Sequence, residues 1–454
     1  MYNKNVNKKK LLIFFPNKKV SGEYLEMFPF EMLKNEFYFF GINNREHELF
    51  SKKIPLKLNI FTKKTHALMH QAEMLRRRNA SVYYTARIRG EYPSRFDSQH
   101  IKIPFHDFKK ATFFKRIQVK FFSTIFGVLI LKKMVIILFK LENFFSIKLL
   151  KEVNCIVLPY TGGISAEWDF LVWLAEKYKI TTIGIQENWD NLSSKQFLFM
   201  KPKIFATWGQ QSSSHLRSIQ NFRGAIFEVG CLRIQGFYSS RELLCSESPK
   251  PESHLAPIEK FILVIGLGDE LEDLKLLRLM SDFMSHPQNL KYTNLHAVYR
   301  VHPHIVETPS RINNLKIIES LPKIKIYNPG LYETNLQRIE QVNSAEIVVS
   351  IFSTMVLESA IVNKTCVIPV FNFVTADYNP SHLIDDLNHF SGMSMLTKVK
   401  IASTSKEFIE TLLGVEQDLS DKINDPIILN WFCKNTNTQL EIASLIRQYA
   451  TNNV

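Results

Sequence analysis

The stretch CIVLPYTGGISAEWDFLVWLAEKYKITTIGI, residues 155–185, decides the fold class. Its two ends, CIVLPY and ITTIGI, are short apolar runs of the kind found in buried strands. Between them, AEWDFLVWLAEKY repeats its apolar residues at helical spacing. A strand, a helix and a second strand in this order indicate a βαβ unit with parallel strands.

The same alternation of strands and helices continues before and after a polar segment. Strands are predicted at KIFATWG and AIFEVG, and later at KFILVIGLG, LHAVYRVHP, IKIYNP, EIVVSI and TCVIPVF, with helices between them. Residues 241–258 are rich in Ser, Pro and Glu and lack periodicity, which is typical of a linker. The sequence therefore predicts an α/β protein whose two Rossmann-like domains, residues 1–240 and 259–454, face each other across a cleft, with a C-terminal helix.

Positive charge is concentrated in the first third of the chain. Residues 1–150 contain 29 Lys and Arg against 11 Asp and Glu, whereas the remaining residues contain 28 against 32. Such asymmetry predicts a polyanionic partner, either nucleic acid or an anionic membrane face. The region contains no recognisable nucleic-acid-binding module and is rich in Phe, so the membrane is favoured. A nucleic-acid-binding protein is the non-enzymatic alternative.

The most apolar stretch, FFSTIFGVLILKKMVIILF at residues 121–139, is interrupted by Lys132 and Lys133. Two lysines at bilayer depth are costly, so a spanning helix is rejected. The cationic, Phe-rich segment 108–150 either lies in a membrane interface or forms a buried helix pair. We expect a protein of the reducing cytoplasm that is peripheral at the inner face of the cell membrane.

Metal and cofactor sites find no support in the sequence patterns. The five cysteines form no CxxC pair, no histidine spacing suits zinc, and no DxD triad occurs. We therefore expect no cofactor and no obligatory metal. A bound phosphate would be neutralised by side chains and a helix terminus.

A strand end in the second half, AVYRVHPHI at residues 297–305, places two cationic groups together. Pro303 favours extended backbone at His302, which holds the imidazole at the end of a strand, and Arg300 lies two residues earlier on the same strand face. We expect Arg300 and His302 to bind the phosphate of a ligand. The alternative is a loop histidine without a ligand.

The second such strand end is EIVVSIFSTMVLESAIV, residues 346–362. The strand ends at Ser350, and Ser353 and Thr354 begin a helix whose backbone N–H groups suit a phosphate. Glu358 is the only charge in the helical segment and needs a partner if buried, which a ribose hydroxyl would supply. The alternatives are that Ser353 only caps the helix and that Glu358 is solvated.

A third polar cluster, IQENWDNLSSK at residues 185–195, follows the strand ITTIGI. We expect Glu187 and Asp190 to accept a proton from an acceptor hydroxyl, and Trp189 and Asn191 to contact the acceptor. Equally, Asp190 and Asn191 could serve only to shape the loop and to cap the next helix.

These residues resemble a known superfamily. The strand ending in His-Pro, followed by a strand ending in a Ser/Thr cluster and a helix with Glu, resembles the donor domain of GT-B glycosyltransferases. The pair VHPHI and SIFST is similar to bacterial sialyl- and polysialyltransferases and CDP-glycerol glycerophosphotransferases. The WDNLSSK loop resembles surface-polysaccharide proteins of this superfamily. The resemblance covers residues 154–415 and implies that His302, Ser353 and Thr354 hold the leaving phosphate of the donor.

The resemblance implies a metal-independent transferase. It would move a sugar or alditol phosphate from a CMP- or CDP-type donor to a glycan or lipid-linked acceptor, as in capsule, teichoic-acid or lipopolysaccharide synthesis. Glycosyl transfer is favoured over phosphotransfer. A nucleotide-sugar 2-epimerase and a UDP-sugar transferase are the enzymatic alternatives. The sequence lacks the acidic-acidic-glycine triplet of the sialyltransferases, and it has Ser-Ile-Phe-Ser-Thr where the glycerophosphotransferases have Asp-Tyr-Ser-Ser.

Overall fold

Two units make up the described part of the chain. The computed structural model describes residues 8–16, 24–42, 50–54, 56–79, 113–142, 152–161, 165–189, 191–195, 197–237, 261–266, 270–287, 289, 295–302, 309–328, 335–350, 353–371, 392–414, 431 and 437–451. Unit 1 comprises Met1–Leu232, Leu387–His389 and Asn430–Val454, and unit 2 comprises Arg233–Asp386 and Phe390–Leu429. The predicted linker 241–258 lies outside the described residues.

The described residues of unit 1 form one parallel sheet of seven strands in the order β3-β2-β1-β4-β5-β6-β7. The strands are β1 Lys9–Phe14, β2 Phe37–Ile42, β3 Phe50–Ile54, β4 Cys155–Tyr160, β5 Thr181–Gln186, β6 Ile204–Thr207 and β7 Ala225–Glu228. The chain starts in the middle of the sheet, winds to one edge and then crosses to the other. This is the doubly wound order of a Rossmann-like domain.

The helices of unit 1 cover both faces of this sheet. They are α1 Phe30–Leu33, α2 Ile60–Asn79, α3 Phe113–Phe122, α4 Ile125–Leu141, α5 Ala166–Lys177 and α6 Gln210–Ser218, with a π-helix at Asn191–Lys195. One core cluster joins the sheet to α2, α4 and α5. The strands and α5 around residues 155–185 confirm the predicted βαβ unit.

The second core cluster of unit 1 contains six buried phenylalanines. The ring of Phe30 meets those of Phe39 and Phe50 edge-on, with centroids 5.0 and 5.6 Å apart, and Phe15 meets Phe50 at 5.5 Å. Edge-to-face pairs at these separations add to the hydrophobic gain of burial. The sequence analysis did not predict the strands β2 and β3 that supply part of this cluster.

Helices α3 and α4 form a hairpin at the position of the predicted membrane segment. Thr124 caps α4 by accepting a hydrogen bond from the N–H of Gly127 at 3.0 Å. A Cβ atom at Gly127 would lie 2.6 Å from the carbonyl oxygen of Phe121, so the tight turn requires glycine. One stripe of α4 is buried in the core: Val128, Leu131, Val135 and Phe139. Each such side chain contributes roughly 1.5–3 kcal/mol. The opposite stripe is exposed, so the hairpin is only half buried.

Unit 2 repeats the doubly wound plan. Its described residues form a parallel sheet of six strands in the order β10-β9-β8-β11-β12-β13. The strands are β8 Phe261–Ile265, β9 His296–Arg300, β10 Ile324–Tyr327, β11 Ala345–Ser350, β12 Cys366–Pro369 and β13 Val399–Ala402. The helices are α7 Glu270–Ser285, α8 Pro309–Glu319, α9 Asn335–Ser344, α10 Thr354–Ile361 and α11 Ser405–Gly414, with a 3₁₀ turn at Met393–Met395. These elements confirm the strands predicted after residue 258.

The terminal helix α12, Thr438–Thr451, belongs to unit 1, whereas the sequence order had assigned it to the second domain. Its apolar side chains Ile442, Leu445 and Ile446 join the Phe-rich core cluster. The amide of Gln439 donates to the carbonyl of Met27 at 2.7 Å. The helix packs there because its apolar stripe matches that surface, a match that local patterns do not reveal.

Candidate functional site

Three strands of unit 2 end side by side at the point where the strand order reverses. In the sheet, Ser350 of β11 pairs with Ile265 of β8, and Ile265 pairs with Arg300 of β9. Adjacent strands are about 4.8 Å apart, so the backbones of Ser350 and Arg300 lie roughly 10 Å from each other across β8. Crevices at such reversal points are where doubly wound sheets bind ligands. The register of the sheet therefore brings the ends of these three strands to the same edge.

The start of α10 presents hydroxyls and backbone N–H groups at this edge. Ser353 is the N-cap, and its Oγ accepts from the N–H of Met355 at 3.2 Å. The hydroxyls of Ser350 and Ser353 are 3.0 Å apart and hydrogen-bonded to each other. Ser353 and Thr354 are half-buried, whereas Ser350 is buried. Partial exposure at the positive end of a helix gives an anion direct access to these donors.

Arg300 and His302 differ in their surroundings. Arg300 is buried, its Nη1 donates to Oε1 of Gln341 at 3.2 Å, and its guanidinium lies 5.8 Å from the ring centroid of Tyr327. Its positive charge therefore lies in a buried position at this edge of the sheet. His302 follows β9 and is half-buried, so its ring remains partly accessible.

Glu358 has its partners within unit 2. The carboxylate is 1% exposed, and it lies 3.3 Å from Nε of Arg338 and 3.9 Å from Nε of Arg233. From the sequence we expected that Glu358, if buried, would need a partner and that a ribose hydroxyl would supply it. The structure supplies two guanidinium groups instead, and the cluster carries one excess positive charge.

The loop after β5 is held together by its own hydrogen bonds. The side chain of Gln186 donates to the carbonyls of Asn188 and Trp189, at 3.0 and 3.3 Å, and accepts from the N–H of Trp208 at 3.2 Å. Asn191 is fully buried and donates to the carbonyl of Tyr160. Gln186 holds this loop in shape, a role that the sequence analysis missed. The feature that could have indicated it is a polar residue at the end of an apolar strand.

Trp189 is 3% exposed and packs inside unit 1. Its Nε1 donates to Oε1 of Gln211 at 3.0 Å, and its ring centroid lies 5.0 Å from that of Trp431. The structure gives Trp189 and Asn191 packing roles in place of the predicted contacts with an acceptor, because neither presents a face to solvent.

Glu187 is the one predicted acidic group of this loop that the structure describes, since Asp190 lies outside the described residues. The carboxylate is half-buried and accepts a hydrogen bond from the hydroxyl of Tyr24 at 2.5 Å. A carboxylate offers about four lone-pair sites, so this group can accept further hydrogen bonds besides that of Tyr24.

A buried trio of ionisable residues in unit 1 was missed by the sequence analysis. Nε2 of His66 and Nε2 of His70 lie 2.6 and 3.2 Å from the same oxygen, Oδ2 of Asp169. The histidines are four residues apart on α2, which puts both rings on one face of the helix. That spacing was the available signal, but Asp169 joins them only in the folded chain.

An exposed apolar face covers the outer side of the α3–α4 hairpin. Its members, which we call the hairpin face, are Ile117, Phe121, Ile125, Phe126, Leu129, Ile137 and Leu141. Phe126 is 69% exposed and Leu141 72%. Lys120, Lys133 and Lys140 are exposed on the same two helices. The one acid of residues 113–142, Glu142, accepts hydrogen bonds from the N–H of Asn59 at 2.9 Å and from the hydroxyl of Thr62.

The described helices include none that is long and apolar enough to cross a membrane.

No protein-family model and no curated protein sequence matches the chain. Solved structures match over almost its whole length. S. aureus MnaA in complex with UDP is 11% identical and covers 98% of this chain and 97% of its own, with a TM-score of 0.50. The UDP-GlcNAc 2-epimerase of Methanocaldococcus jannaschii is 11% identical and covers 97% and 99%, with a TM-score of 0.51. A candidate UDP-N-acetylglucosamine 2-epimerase of Listeria monocytogenes is 9% identical and covers 98% of both chains, with a TM-score of 0.52. The fold is GT-B-like.

The GT-B-like fold confirms the fold class predicted from the sequence. At 9–11% identity, the likeness to these structures concerns the fold and not the reaction, because one fold hosts many chemistries. The reaction has to be argued from the residues of the site.

Proposed function

We propose that the chain is an enzyme that binds a nucleotide-activated sugar or alditol at the carboxyl edge of the unit 2 sheet. The observation that supports this most is the start of α10, where Ser353 and Thr354 are half-buried beside the reversal of strand order. The first N–H groups of a helix have no partner within the helix. The phosphate of a nucleotide supplies oxygen acceptors for them.

Charge also favours an anion at this edge. Arg233 and Arg338 face the single carboxylate of Glu358, which lies about 7 Å along α10 from Ser353. Arg300 adds a further positive charge, and His302 adds a hydrogen-bond donor. In this proposal Ser350, Ser353, Thr354 and His302 hold the donor phosphate, and the arginines stabilise its charge without an obligatory metal ion.

For the reaction, we favour transfer of the sugar or alditol phosphate to a glycan or lipid-linked acceptor at an anionic membrane surface. The hairpin face supports this choice, because exposed apolar side chains with exposed lysines on the same helices suit the interface of an anionic membrane. The motifs VHPHI and SIFST favour a CMP- or CDP-type donor through the resemblance described above. Glu187 would then serve as the base that takes the proton of the acceptor hydroxyl.

A nucleotide-sugar 2-epimerase is the second candidate. It is favoured by the full-length fold likeness to structures named as UDP-GlcNAc 2-epimerases or bound to UDP. Such an enzyme changes its sugar nucleotide without an acceptor, so it has no need of a membrane-binding face.

Nucleotide binding tests the proposed site. Ligand-observed NMR with CMP, CDP, UDP and GDP, without added metal, should show selective binding that His302→Ala abolishes and the exposed His286→Gln retains. CMP or CDP selectivity supports the transferase. Selectivity for UDP, together with epimerisation of UDP-GlcNAc in the absence of an acceptor, would replace it with the epimerase. Absence of binding by all four nucleotides would contradict the site.

Vesicle flotation tests the membrane surface. The chain should float with vesicles of phosphatidylcholine and phosphatidylglycerol at low salt, and Phe126→Asp together with Leu129→Asp should abolish flotation. Leu336→Asp, at a 60% exposed leucine of unit 2, is the matched control and should float normally. Equal flotation of all variants, or binding of duplex nucleic acid in place of vesicles, would contradict the membrane assignment.

A further inference from the structure

The trio His66, His70 and Asp169 gathers metal-ligating atoms in a buried place. One ligand atom from each residue lies within 4.8 Å of the other two. The three side chains are at most 5% exposed. Outside this trio, the described residues hold no other group of three His, Cys, Asp or Glu with ligand atoms so close.

The distances within the trio are close to those of a coordination sphere. Zn²⁺ binds His nitrogen and carboxylate oxygen at about 2.0–2.2 Å, so two ligand atoms at a tetrahedral angle lie about 3.3–3.5 Å apart. Oδ2 of Asp169 is 2.6 Å from Nε2 of His66 and 3.2 Å from Nε2 of His70. To admit an ion, Oδ2 of Asp169 would have to move about 0.8 Å farther from Nε2 of His66 and about 0.2 Å farther from Nε2 of His70, movements within the reach of side-chain rotations.

The surroundings hold the ligands in place and leave one atom unsatisfied. The second oxygen of Asp169, Oδ1, accepts from the N–H of Met200 at 2.9 Å, which fixes the plane of the carboxylate. Nδ1 of His70 is buried without a hydrogen-bond partner among the described residues, and an ion bound at Nε2 would leave this nitrogen as it is.

We propose that His66, His70 and Asp169 bind one divalent transition-metal ion, with Zn²⁺ favoured by the nitrogen and oxygen ligand set. A water molecule would complete the tetrahedral coordination, and the burial of the three protein ligands favours a structural role. The ion would join α2, which carries both histidines, to the first turn of α5, which carries Asp169. Phe139 of α4 lies next to the trio, with its ring centroid 6.4 Å from that of His66, so the ion would also anchor the α3–α4 hairpin. This inference is independent of the proposed enzymatic function.

The test uses the full chain without an affinity tag, stripped with a chelator and then dialysed. Addition of Zn²⁺ should raise the melting temperature and give one zinc per chain by elemental analysis. Co²⁺ should give the visible absorption of a tetrahedral site. His70→Gln keeps an amide donor for Asp169 but removes the ligand nitrogen, so it should retain the fold and weaken zinc binding by more than about tenfold.

Controls separate a metal site from a hydrogen-bonded cluster. His66→Gln and Asp169→Asn should also weaken zinc binding, whereas His286→Gln, an exposed histidine of unit 2, should bind zinc like the unaltered chain. Circular dichroism of each stripped variant checks that it is folded. Failure of the stripped chain to bind zinc stoichiometrically would overturn the proposal, as would equal binding by folded His70→Gln and Asp169→Asn.

Discussion

The carboxyl edges of the two sheets share a strand order and differ in how they use polar residues. In unit 1, Gln186 and Asn191 are buried and bond to the loop backbone around them. In unit 2, Ser353, Thr354 and His302 remain half-buried. The difference shows that a polar cluster after a strand becomes a binding site only if the fold leaves its groups accessible. In unit 1 the polar side chains are instead used in hydrogen bonds that hold the loop together.

The comparison predicts that replacements at the unit 1 edge reduce stability and that replacements at the unit 2 edge reduce ligand binding. The largest effect is expected for Trp189→Ala. Loss of the buried indole should lower the free energy of unfolding by about 3–5 kcal/mol. Trp189→Phe keeps the ring beside Trp431 but loses the bond to Gln211, and should cost about 1 kcal/mol. Denaturant titration measures both. A stable Trp189→Ala variant that loses only acceptor binding would break the comparison.

Acid should destabilise unit 1 through His70. Since burial and His66 lower the pKa of His70 in the folded chain, the unfolded chain binds a proton that the folded chain does not. Stability is therefore lost as the pH falls through the ordinary value of 6.5 and reaches its minimum below the folded pKa. The loss is about 1.4 kcal/mol for each unit of lowering.

Melting temperatures between pH 7.5 and 5.5, with chelator present, measure this effect. The groups acting on His70 are His66, Asp169 and Glu73, which the variant His70→Gln leaves in place. His70→Gln should flatten the dependence on pH. An equal slope in both proteins would show that other groups cause it.

Ser353→Ala should affect stability and ligand binding together. Loss of the N-cap costs about 1 kcal/mol, and loss of a phosphate donor should weaken nucleotide binding about tenfold. Ser165→Ala is the matched control, because Ser165 caps α5 in unit 1 by accepting from the N–H of Trp168 at 3.2 Å. It should lose similar stability and keep nucleotide affinity. If both variants bind nucleotide equally well, Ser353 is only a cap.

The smallest effect on stability is expected for His302→Ala, within about 0.5 kcal/mol, because the ring is half-buried at the end of a strand. Its effect on turnover should nevertheless be the largest of the set. Thermal unfolding and a transfer or epimerisation assay measure the two quantities. A strongly destabilised variant would give His302 a packing role like that of Trp189.

Prediction from the sequence succeeded where neighbours along the chain decide the outcome. The strand from Cys155 and the helix from Ala166 follow from hydrophobic periodicity, and the N-cap role of Ser353 follows from its position before an apolar run. Strands β2 and β3 were missed, because periodicity alone does not distinguish a short strand from a short segment of buried helix.

The sequence by itself determined the doubly wound α/β architecture and the strand ends that Ser350, Ser353, Thr354 and His302 follow or terminate. Only the tertiary structure decided which polar groups bond to other parts of the protein and which stay accessible. Asp169 meets His66 across 103 residues of chain, Gln439 meets Met27 across 412, and Glu358 takes its partners from two other segments. Periodicity reports which face of an element is buried. The identity of the buried partner depends on packing between segments distant in sequence, and no local pattern records it.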